Sequence, residues 1–382
     1  MKHALIRCGL FLLVGLSTAC VSGSRVPTED ISTRGSEGFP LRLLWSYQAE
    51  GDLTLPLLYT QGLVISNYRI QGTSRVVYIV VQADTGSLMW QYETDGSVGG
   101  SEDLVRIVAD QLILAGNERV EAVELRNGRQ SWVSKGYNAI VSIATSDGAV
   151  FVASKNEVTA LDVATGETKW RNTTMPGYSF RVFYDERTDR VLVTSDTFYV
   201  LDAQTGHILS ATENKGDWTP ADCFNELQIH EGRLYCETIV FDGATGKLMT
   251  MTEILTEDYL WFPPIISGTM YVRTLTGAVA AMNIDTMGLK WEYRPAAQSN
   301  NKSAEVISKV VVVGAHGYAI ADDATLRAFD LDTGKEVGWW QAPYVADWRS
   351  RDYIFAIIPA VAPDGQHLYA TFGDQTLYAF GP

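Results

Sequence analysis

The chain has 382 residues, of which 46% are hydrophobic, 11% aromatic and 20% charged. This composition indicates a globular protein with a large apolar core and excludes a largely disordered chain. The formal net charge is −15 and the 30 basic residues are scattered, which excludes a surface built for nucleic acid, because phosphate binding requires clustered Lys and Arg side chains.

The first residues have the organisation of an export signal. Lys2 and Arg7 precede an apolar stretch from Gly9 to Leu16, and small residues then lead to Cys20. The apolar stretch is too short to span a bilayer. We therefore predict that residues 1–19 are a cleaved signal peptide.

Cys20 is the predicted lipid attachment site. The small residues before it resemble a lipobox, in which the cysteine becomes the lipidated first residue of the mature chain. Ser17 stands where an aliphatic residue is usual, so ordinary cleavage after Ala19 remains an alternative. Residues 20–40 are predicted to be a polar tether. Val21 is not the aspartate that retains many lipoproteins at the inner membrane, and the predicted location is the periplasmic face of the outer membrane.

Two cysteines remain once the signal is removed and Cys20 is lipidated. In an oxidising compartment, Cys223 and Cys236 are candidates for a disulfide. A hairpin turn at Glu231-Gly232 would place Cys236 opposite Leu227, about four residues from Cys223. A bulge that shifts the register would be needed to join the two thiols.

One phrase recurs along the rest of the chain: an apolar strand, an acidic residue, a Thr-Gly turn and a tryptophan. The clearest copy runs from Ala160 to Trp170. Related copies are centred on Thr85-Gly86, Asn127-Gly128, Thr205-Gly206, Thr245-Gly246, Thr286-Met287-Gly288 and Thr333-Gly334. The turn glycines are 38 to 46 residues apart, which is the length of one four-stranded propeller blade. Short β-branched segments bounded by Gly, Asn or Asp exclude helical repeats.

The repeat tryptophans have a structural interpretation. We assign this position to Trp90, Trp132, Trp170, Trp291 and Trp339. A tryptophan on the outermost strand can pack between neighbouring blades while its indole N–H reaches a carbonyl group. The glycine of the turn accepts positive φ, and an Asp or Thr side chain can bond to the turn backbone. We therefore expect these residues to hold blades together and not to bind a ligand.

The two ends of the repeat region complement each other. The last strand, Thr376 to Phe380, stops where its Thr-Gly turn should follow, and Leu41 to Trp45 has the pattern of the missing outer strand. We therefore predict an all-β fold over residues 41–382: an eight-bladed β-propeller with tryptophan-docking repeats, closed by the N-terminal strand. Closure removes exposed sheet edges.

These copies resemble the tryptophan-docking repeat of the pyrroloquinoline-quinone-type propellers, from Leu41 to Phe380. That superfamily includes quinone-dependent dehydrogenases and the BamB family of outer-membrane lipoproteins, which support the machine that inserts β-barrel proteins. The length of the chain and its export signal favour the BamB branch. The resemblance implies a non-enzymatic accessory lipoprotein without a cofactor, which binds the periplasmic domains of the barrel subunit. Unfolded outer-membrane proteins are further candidate partners.

The resemblance also implies a binding loop. In BamB-like proteins, the segment after the third repeat tryptophan carries a Leu-x-Leu-Arg loop that docks on the barrel subunit. After Trp170, Tyr178 and Phe180 fall on the two apolar positions and Arg181 on the arginine. Alternate residues of an extended segment point the same way, and an arginine can pair with a carboxylate. The alternative is that the two aromatic residues lie on the inward face of the next blade's first strand.

The family's second contact is a pair of aspartates after the fourth repeat. Asp217 and Asp222 lie in the corresponding region, with a wider spacing than the family's pair. Four tryptophans lie outside the strict repeat position: Trp218, Trp261, Trp340 and Trp348. Our first interpretation of these is packing in loops or between blades, and the alternative is a rim that holds extended clients.

The sequence offers little catalytic chemistry. The histidines His207, His230, His316 and His367 have no metal-ligand spacing. The sequence has no Gly-x-Ser-x-Gly elbow, no phosphate loop, no Asp-x-Asp-x-Asp-Gly calcium loop and no adjacent cysteines of the kind that many quinone-dependent members carry. We therefore expect neither catalysis nor a metal site. Two alternatives stay open: another extracytoplasmic propeller lipoprotein that binds protein or glycan, and a quinone-dependent dehydrogenase.

Overall fold

The computed structural model describes residues 35–70, 72–94, 102–155, 157–176, 181–195, 197–213, 228–236, 239–251, 265–274, 276–296, 304–343, 360–361, 365–372 and 375–382. Within these ranges the regular structure consists of 32 strands and one 3-10 turn, Glu102–Leu104. None of the described residues form a helix with the length and hydropathy that crossing a lipid bilayer requires.

The strands follow one another in groups of four. The first strand is β1 (Arg42–Gln48). Blades 1 to 4 contain β2 (Leu53–Thr60), β3 (Leu63–Arg69), β4 (Val76–Gln82), β5 (Leu88–Glu93); β6 (Val105–Val108), β7 (Gln111–Ala115), β8 (Arg119–Glu124), β9 (Gln130–Lys135); β10 (Ser142–Ser146), β11 (Ala149–Ser154), β12 (Glu157–Asp162), β13 (Thr168–Asn172); and β14 (Arg181–Asp185), β15 (Arg190–Thr194), β16 (Thr197–Asp202), β17 (Ile208–Glu213). Blades 5 to 8 contain β18 (Gln228–His230), β19 (Arg233–Cys236), β20 (Ile239–Asp242), β21 (Leu248–Met251); β22 (Ile265–Ile266), β23 (Thr269–Arg273), β24 (Val279–Asn283), β25 (Leu289–Tyr293); β26 (Val311–Val313), β27 (His316–Ile320), β28 (Thr325–Asp330), β29 (Glu336–Gln341); and β30 (Ala360–Val361), β31 (Leu368–Thr371), β32 (Thr376–Gly381).

These strands form eight four-stranded sheets among the described residues. Each of the first seven blades uses four consecutive antiparallel strands, whereas the eighth has the order β1-β32-β31-β30. In the closing pair, Leu43 lies opposite Phe380 and Trp45 opposite Ala379. The predicted eight-bladed propeller, and its closure by the N-terminal strand, are both confirmed.

The antiparallel order gives each blade two ends. The turns between its first and second strands and between its third and fourth strands lie at one end, which we call the turn face. The links from one blade to the next lie at the other end, which we call the connection face. In the first seven blades the turn between third and fourth strands always spans five residues, whereas the links between blades span from 4 to 18 residues.

The constant turn length follows from how neighbouring blades pack. In blade 3, the Asp162 carboxylate accepts hydrogen bonds from the backbone N–H groups of Ala164 and Thr165, each at 3.0 Å. Gly166 has a φ of +72°, and a Cβ there would come within 2.5 Å of the Trp132 ring of the preceding blade. Glycine is therefore required both by the backbone conformation and by the ring stacked on it.

The tryptophan ring also makes a specific polar contact with the same turn. Trp132 Nε1 donates to the Val163 carbonyl at 2.9 Å. The equivalent bonds are Trp45 to Ala83, Trp90 to Leu125, Trp170 to Ala203 and Trp291 to Leu331, at 2.7 to 2.9 Å. Each indole therefore joins the outer strand of one blade to the turn of the next, as the sequence predicts.

The assignment of Trp339 to the repeat position is wrong. Gly338 lies opposite Ala328, four residues after the turn glycine Gly334, and therefore takes the place of the docking tryptophan. The blade that follows has no Thr-Gly turn to receive an indole, because its outer hairpin is assembled from the two ends of the chain. Trp340 is instead buried, 4.9 Å from the Phe380 ring centroid, which confirms the packing interpretation for this residue.

Residues 35–39 occupy the space that the missing tryptophan leaves. Ser36 N donates to the Trp339 carbonyl, and Trp339 N donates to Ser36 Oγ, both at 2.9 Å. A Cβ on Gly338 would lie 2.5 Å from the backbone nitrogen of Phe39. Phe39 in turn packs edge-on against Phe380, with the ring centroids 6.3 Å apart. The described chain is therefore packed against blade 7 from Gly35 onward, before β1 begins.

Candidate partner-binding site

Arg181 is the residue of the predicted binding loop that the structure describes. It is the first residue of β14, the innermost strand of blade 4, where the link from blade 3 enters from the connection face. The next residue ties this strand to its neighbour, because Val182 N donates to Ser142 Oγ of blade 3 at 2.8 Å. Arg181 therefore sits where an innermost strand begins, on the face that carries the links.

The guanidinium of Arg181 has an internal partner. Its Nη2 lies 3.3 Å from Oδ2 of Asp103, and the two side chains are 24% and 25% exposed. Asp103 belongs to the 3-10 turn Glu102–Leu104, which leads into β6, the innermost strand of blade 2. The ion pair therefore spans blade 3 and links the entries to two innermost strands.

The other terminal nitrogen of this guanidinium is differently placed. Nη1 of Arg181 is shielded from solvent and has no hydrogen-bond acceptor among the residues that the structure describes. A guanidinium offers five donors and a carboxylate can accept two of them side by side. The internal pair with Asp103 therefore leaves donor capacity unused.

The other predicted site residues fall outside the described ranges or are described only in part. Tyr178 and Phe180 lie in the link between blades 3 and 4, and Asp217, Asp222 and Cys223 lie in the link between blades 4 and 5. The lipid attachment site Cys20 is outside the described ranges as well. Cys236 ends β19, opposite Ile239.

Asp103 was not singled out in the sequence analysis. It lies 78 residues before Arg181 and two blades away, so no local motif connects the two. Superposition of the repeats is the signal that could have found it, since both residues stand at the entry to an innermost strand and such entries share one face.

The turn face holds a separate feature, a cavity of about 490 Å³ that touches blades 2, 3 and 4. Its lining includes Asp147, Lys169, Tyr184, Glu186 and Asp189. Burial, followed by the nearby carboxylates, raises the pKa of Tyr184, and its hydroxyl donates to Asp189 at 3.1 Å. Arg181, the described residue of the predicted binding loop, does not line this cavity.

Two buried polar clusters join neighbouring blades. Between blades 1 and 2, the carboxylate of Glu121 accepts hydrogen bonds from the Tyr92 hydroxyl at 3.1 Å and from Gln130 Nε2 at 2.9 Å. Burial, followed by the charge of Glu121, raises the pKa of Tyr92 to about 12, so Tyr92 stays a neutral donor at physiological pH. The buried carboxylate of Glu121 therefore joins blades 1 and 2 through hydrogen bonds.

The second cluster, between blades 6 and 7, has the opposite charge at its centre. Arg327 is fully buried and pairs with Asp323 at 2.6 Å and with Glu336 at 3.2 Å. The Tyr293 hydroxyl of the preceding blade donates to the same Glu336 carboxylate. Tyr92 and Tyr293 both stand two residues after a docking tryptophan, so the repeat places a donor at the same point of each junction.

The described residues do not fit the metal that a quinone site needs. Across the described ranges no three His, Cys, Asp or Glu side chains come together in a group that could hold an ion. His207, His230, His316 and His367 belong to four different blades. Calcium requires six to eight oxygen ligands, and the described carboxylates supply no such set.

Comparisons with known proteins agree with this architecture. The family model described as outer membrane protein assembly factor BamB matches residues 28–172 and 237–382. No curated protein of similar sequence matches the chain.

Among solved structures, BamB from Moraxella catarrhalis is similar at 16% identity, with a TM-score of 0.59 over 90% of this chain and 100% of that one. The computationally designed Ika8 protein is similar at 15% identity, with a TM-score of 0.61 over 88% and 98%. A europium-containing methanol dehydrogenase is similar at 12% identity, with a TM-score of 0.63 over 90% and 93%. These likenesses concern the propeller fold, which hosts both binding proteins and enzymes. The match of the family model to most of the sequence is more specific, and the chain belongs to the family of the outer membrane protein assembly factor BamB.

Proposed function

We propose that the protein is a non-enzymatic accessory lipoprotein of the outer-membrane β-barrel assembly machinery. It binds the periplasmic domains of the barrel subunit and assists the insertion of outer-membrane proteins. The observation that carries this proposal is the position of Arg181, which stands partly exposed at the mouth of the link between blades 3 and 4. It occupies the arginine position of the family's binding loop.

The order of the strands supports one continuous binding surface. The predicted contacts Tyr178 and Phe180 belong to the link that follows β13, Arg181 begins β14 directly after it, and Asp217 and Asp222 belong to the link that follows β17. Both links leave an outer strand and enter an innermost strand, so both start and finish on the connection face. The aromatic residues supply apolar anchors and Arg181 supplies a charged donor, which is the composition of interface hot spots.

The same family membership and the predicted signal at the start of the chain support an outer-membrane location. Lipidated Cys20 would hold the protein at the periplasmic face of the outer membrane. Fourteen residues lie between Cys20 and the packed residue Gly35, and fifteen fully extended residue steps reach about 50 Å. A tether of that reach would allow the propeller to approach a membrane-embedded partner from the side while it stays anchored.

Co-purification from envelopes tests the proposal. Phe180→Ala and Arg181→Ala should each weaken binding to the barrel subunit by about 1–4 kcal/mol, which is roughly tenfold to thousandfold. Arg190→Ala is the matched control, because Arg190 also forms a partly exposed ion pair, with Asp202 at 3.4 Å, but on the turn face. Wild type and Arg190→Ala should recover the barrel subunit. A variant that carries both Phe180→Ala and Arg181→Ala should lose it. Recovery by all three would place the interface elsewhere.

A further inference from the structure

The ion pair between Arg181 and Asp103 is incomplete as an arginine–carboxylate contact. A bidentate pair uses two guanidinium nitrogens, whereas the ion pair here joins Nη2 to Oδ2 at 3.3 Å and does not use Nη1. Nη1 of Arg181 is shielded from solvent and donates to no acceptor among the described residues. The pair with Asp103 therefore does not saturate the five donors of the guanidinium.

Asp103 lies directly before a well-packed strand. The 3-10 turn that contains it runs directly into β6, and Val105, the first residue of that strand, is 2% exposed. Val105 pairs with Leu114 in the sheet of blade 2. The carboxylate of Asp103 is therefore anchored in a packed blade, whereas the long Arg181 side chain has several rotatable bonds of its own.

We propose that Asp103 is a positioning residue of the partner-binding site. It holds Nη2 of Arg181, so that the guanidinium is fixed while part of the side chain stays exposed to a carboxylate on the barrel subunit. The inference rests on the proposed function and adds to it a second residue. A pre-ordered arginine loses less conformational freedom when the partner binds, and the affinity rises accordingly.

The geometry also distinguishes positioning from competition. If Asp103 merely occupied Arg181 in the free protein, its removal would free the arginine and strengthen binding. If Asp103 positions Arg181, its removal weakens binding. Asp103→Asn separates the two, because the amide keeps the size of the side chain and removes its charge.

The experiment measures the affinity of purified wild type and variants for the isolated periplasmic domains of the barrel subunit. Asp103→Asn should weaken binding about 2- to 5-fold, the range expected for loss of a partly exposed charge pair. Asp103→Glu should recover part of the loss, and Asp103→Asn should have no effect in the Arg181→Ala background. The control is Asp285→Asn, which removes an exposed carboxylate 3.5 Å from Arg233 on the turn face and should leave the affinity unchanged.

Several results would overturn the inference. Unchanged or tighter binding by Asp103→Asn, at an unchanged melting temperature, would show that Asp103 does not position Arg181. An equal loss in the Arg181→Ala background would show that Asp103 acts through the fold alone.

Failure of the proposed function looks different, because wild type would not bind the periplasmic domains or Arg181→Ala would bind as wild type does. A second measurement needs no partner: NMR hydrogen exchange of the Arg181 guanidinium N–H groups in the free protein. We expect these groups to exchange faster with solvent in Asp103→Asn than in wild type. An unchanged exchange rate would overturn the positioning role.

Discussion

The two faces of this propeller are built under different constraints. On the turn face, seven hairpin turns have the same five-residue length, and five of them receive an indole N–H from the blade before. On the connection face, the links between blades range from 4 to 18 residues. A turn that must both bend tightly and receive a neighbouring ring has little freedom of length, whereas a link that only joins two blades has a great deal. The connection face can therefore vary in length and sequence while the ring is held from the turn face.

Removal of one docking tryptophan should break the constraint on the turn face. Trp132→Ala should lower the free energy of unfolding by about 3–5 kcal/mol, because it empties a packed site and leaves the Val163 carbonyl without the indole donor. Denaturant titration measures the change. The matched control is Lys135→Ala at the exposed end of the same strand, which should stay within about 0.5 kcal/mol of wild type. A loss of less than about 1 kcal/mol for Trp132→Ala would contradict the role given to the indole contacts.

Acid should weaken the turns next. The Thr205 hydroxyl and nearby backbone N–H groups hold the pKa of Asp202 below its usual value, and Thr333 does the same for Asp330. A depressed pKa means that these carboxylates stabilise the fold above the pKa of the unfolded chain, about 3.9, and that this stability is lost as the pH falls further. The melting temperature of wild type should therefore fall below about pH 4.

Blade 6 supplies the control for the acid prediction. Asn283 stands at the same position and accepts a hydrogen bond from Thr286 N at 2.8 Å without a charge. The variant Asp202→Asn with Asp330→Asn should therefore fold at neutral pH and show a shallower decrease in melting temperature between pH 5 and pH 3, roughly the window in which a free aspartate titrates. Parallel curves for the variant and wild type would rule out these two carboxylates as the cause.

Lengthening a link should have the smallest effect. Four Gly-Ser residues inserted between Ser299 and Asn300 extend a link of 17 residues, and the closure entropy of the longer loop costs only about 0.2 kcal/mol. The same four residues inserted between Thr165 and Gly166 should cost several times more, because the docked turn is disrupted. Thermal unfolding of the two insertion variants compares the faces directly. Equal destabilisation would mean that both faces are equally constrained.

The fold could be predicted from the sequence because its determinants are local and repeated. The Thr-Gly turn and the tryptophan four residues later lie within one hairpin, so each copy of the pattern reports on the others. Blade 6 shows how far the pattern tolerates change: Met287, with a φ of +53°, takes the place of the turn glycine, and Trp291 still follows four residues later. Trp339 was misassigned because a tryptophan one residue out of register is hard to distinguish from the repeat position without knowing what lies over Gly338.

The candidate binding site could be predicted only in part. Arg181 is a candidate because a family motif is contiguous in sequence, and it lies on the connection face. Asp103 is not predicted, because its contact with Arg181 depends on the distance between the entries of blades 2 and 4, which the sequence does not encode locally. Contacts between side chains of distant blades depend on the curvature of the ring and on side-chain rotamers, and a repeat pattern contains neither.

Gly338 also constrains how the gene for this ring could be rearranged. β32 ends at Gly381, opposite Arg42 at the start of β1, so a short Thr-Gly turn could join them and new termini could open in the four-residue link before β2. That circular permutation would remove residues 35–39 from their contact with blade 7 and expose the surface around Gly338. A permuted chain would therefore have to exchange Gly338 for tryptophan, so that an indole again covers the junction and docks on the new turn. Residues 35–39 and the residue at position 338 of blade 7 must therefore change together.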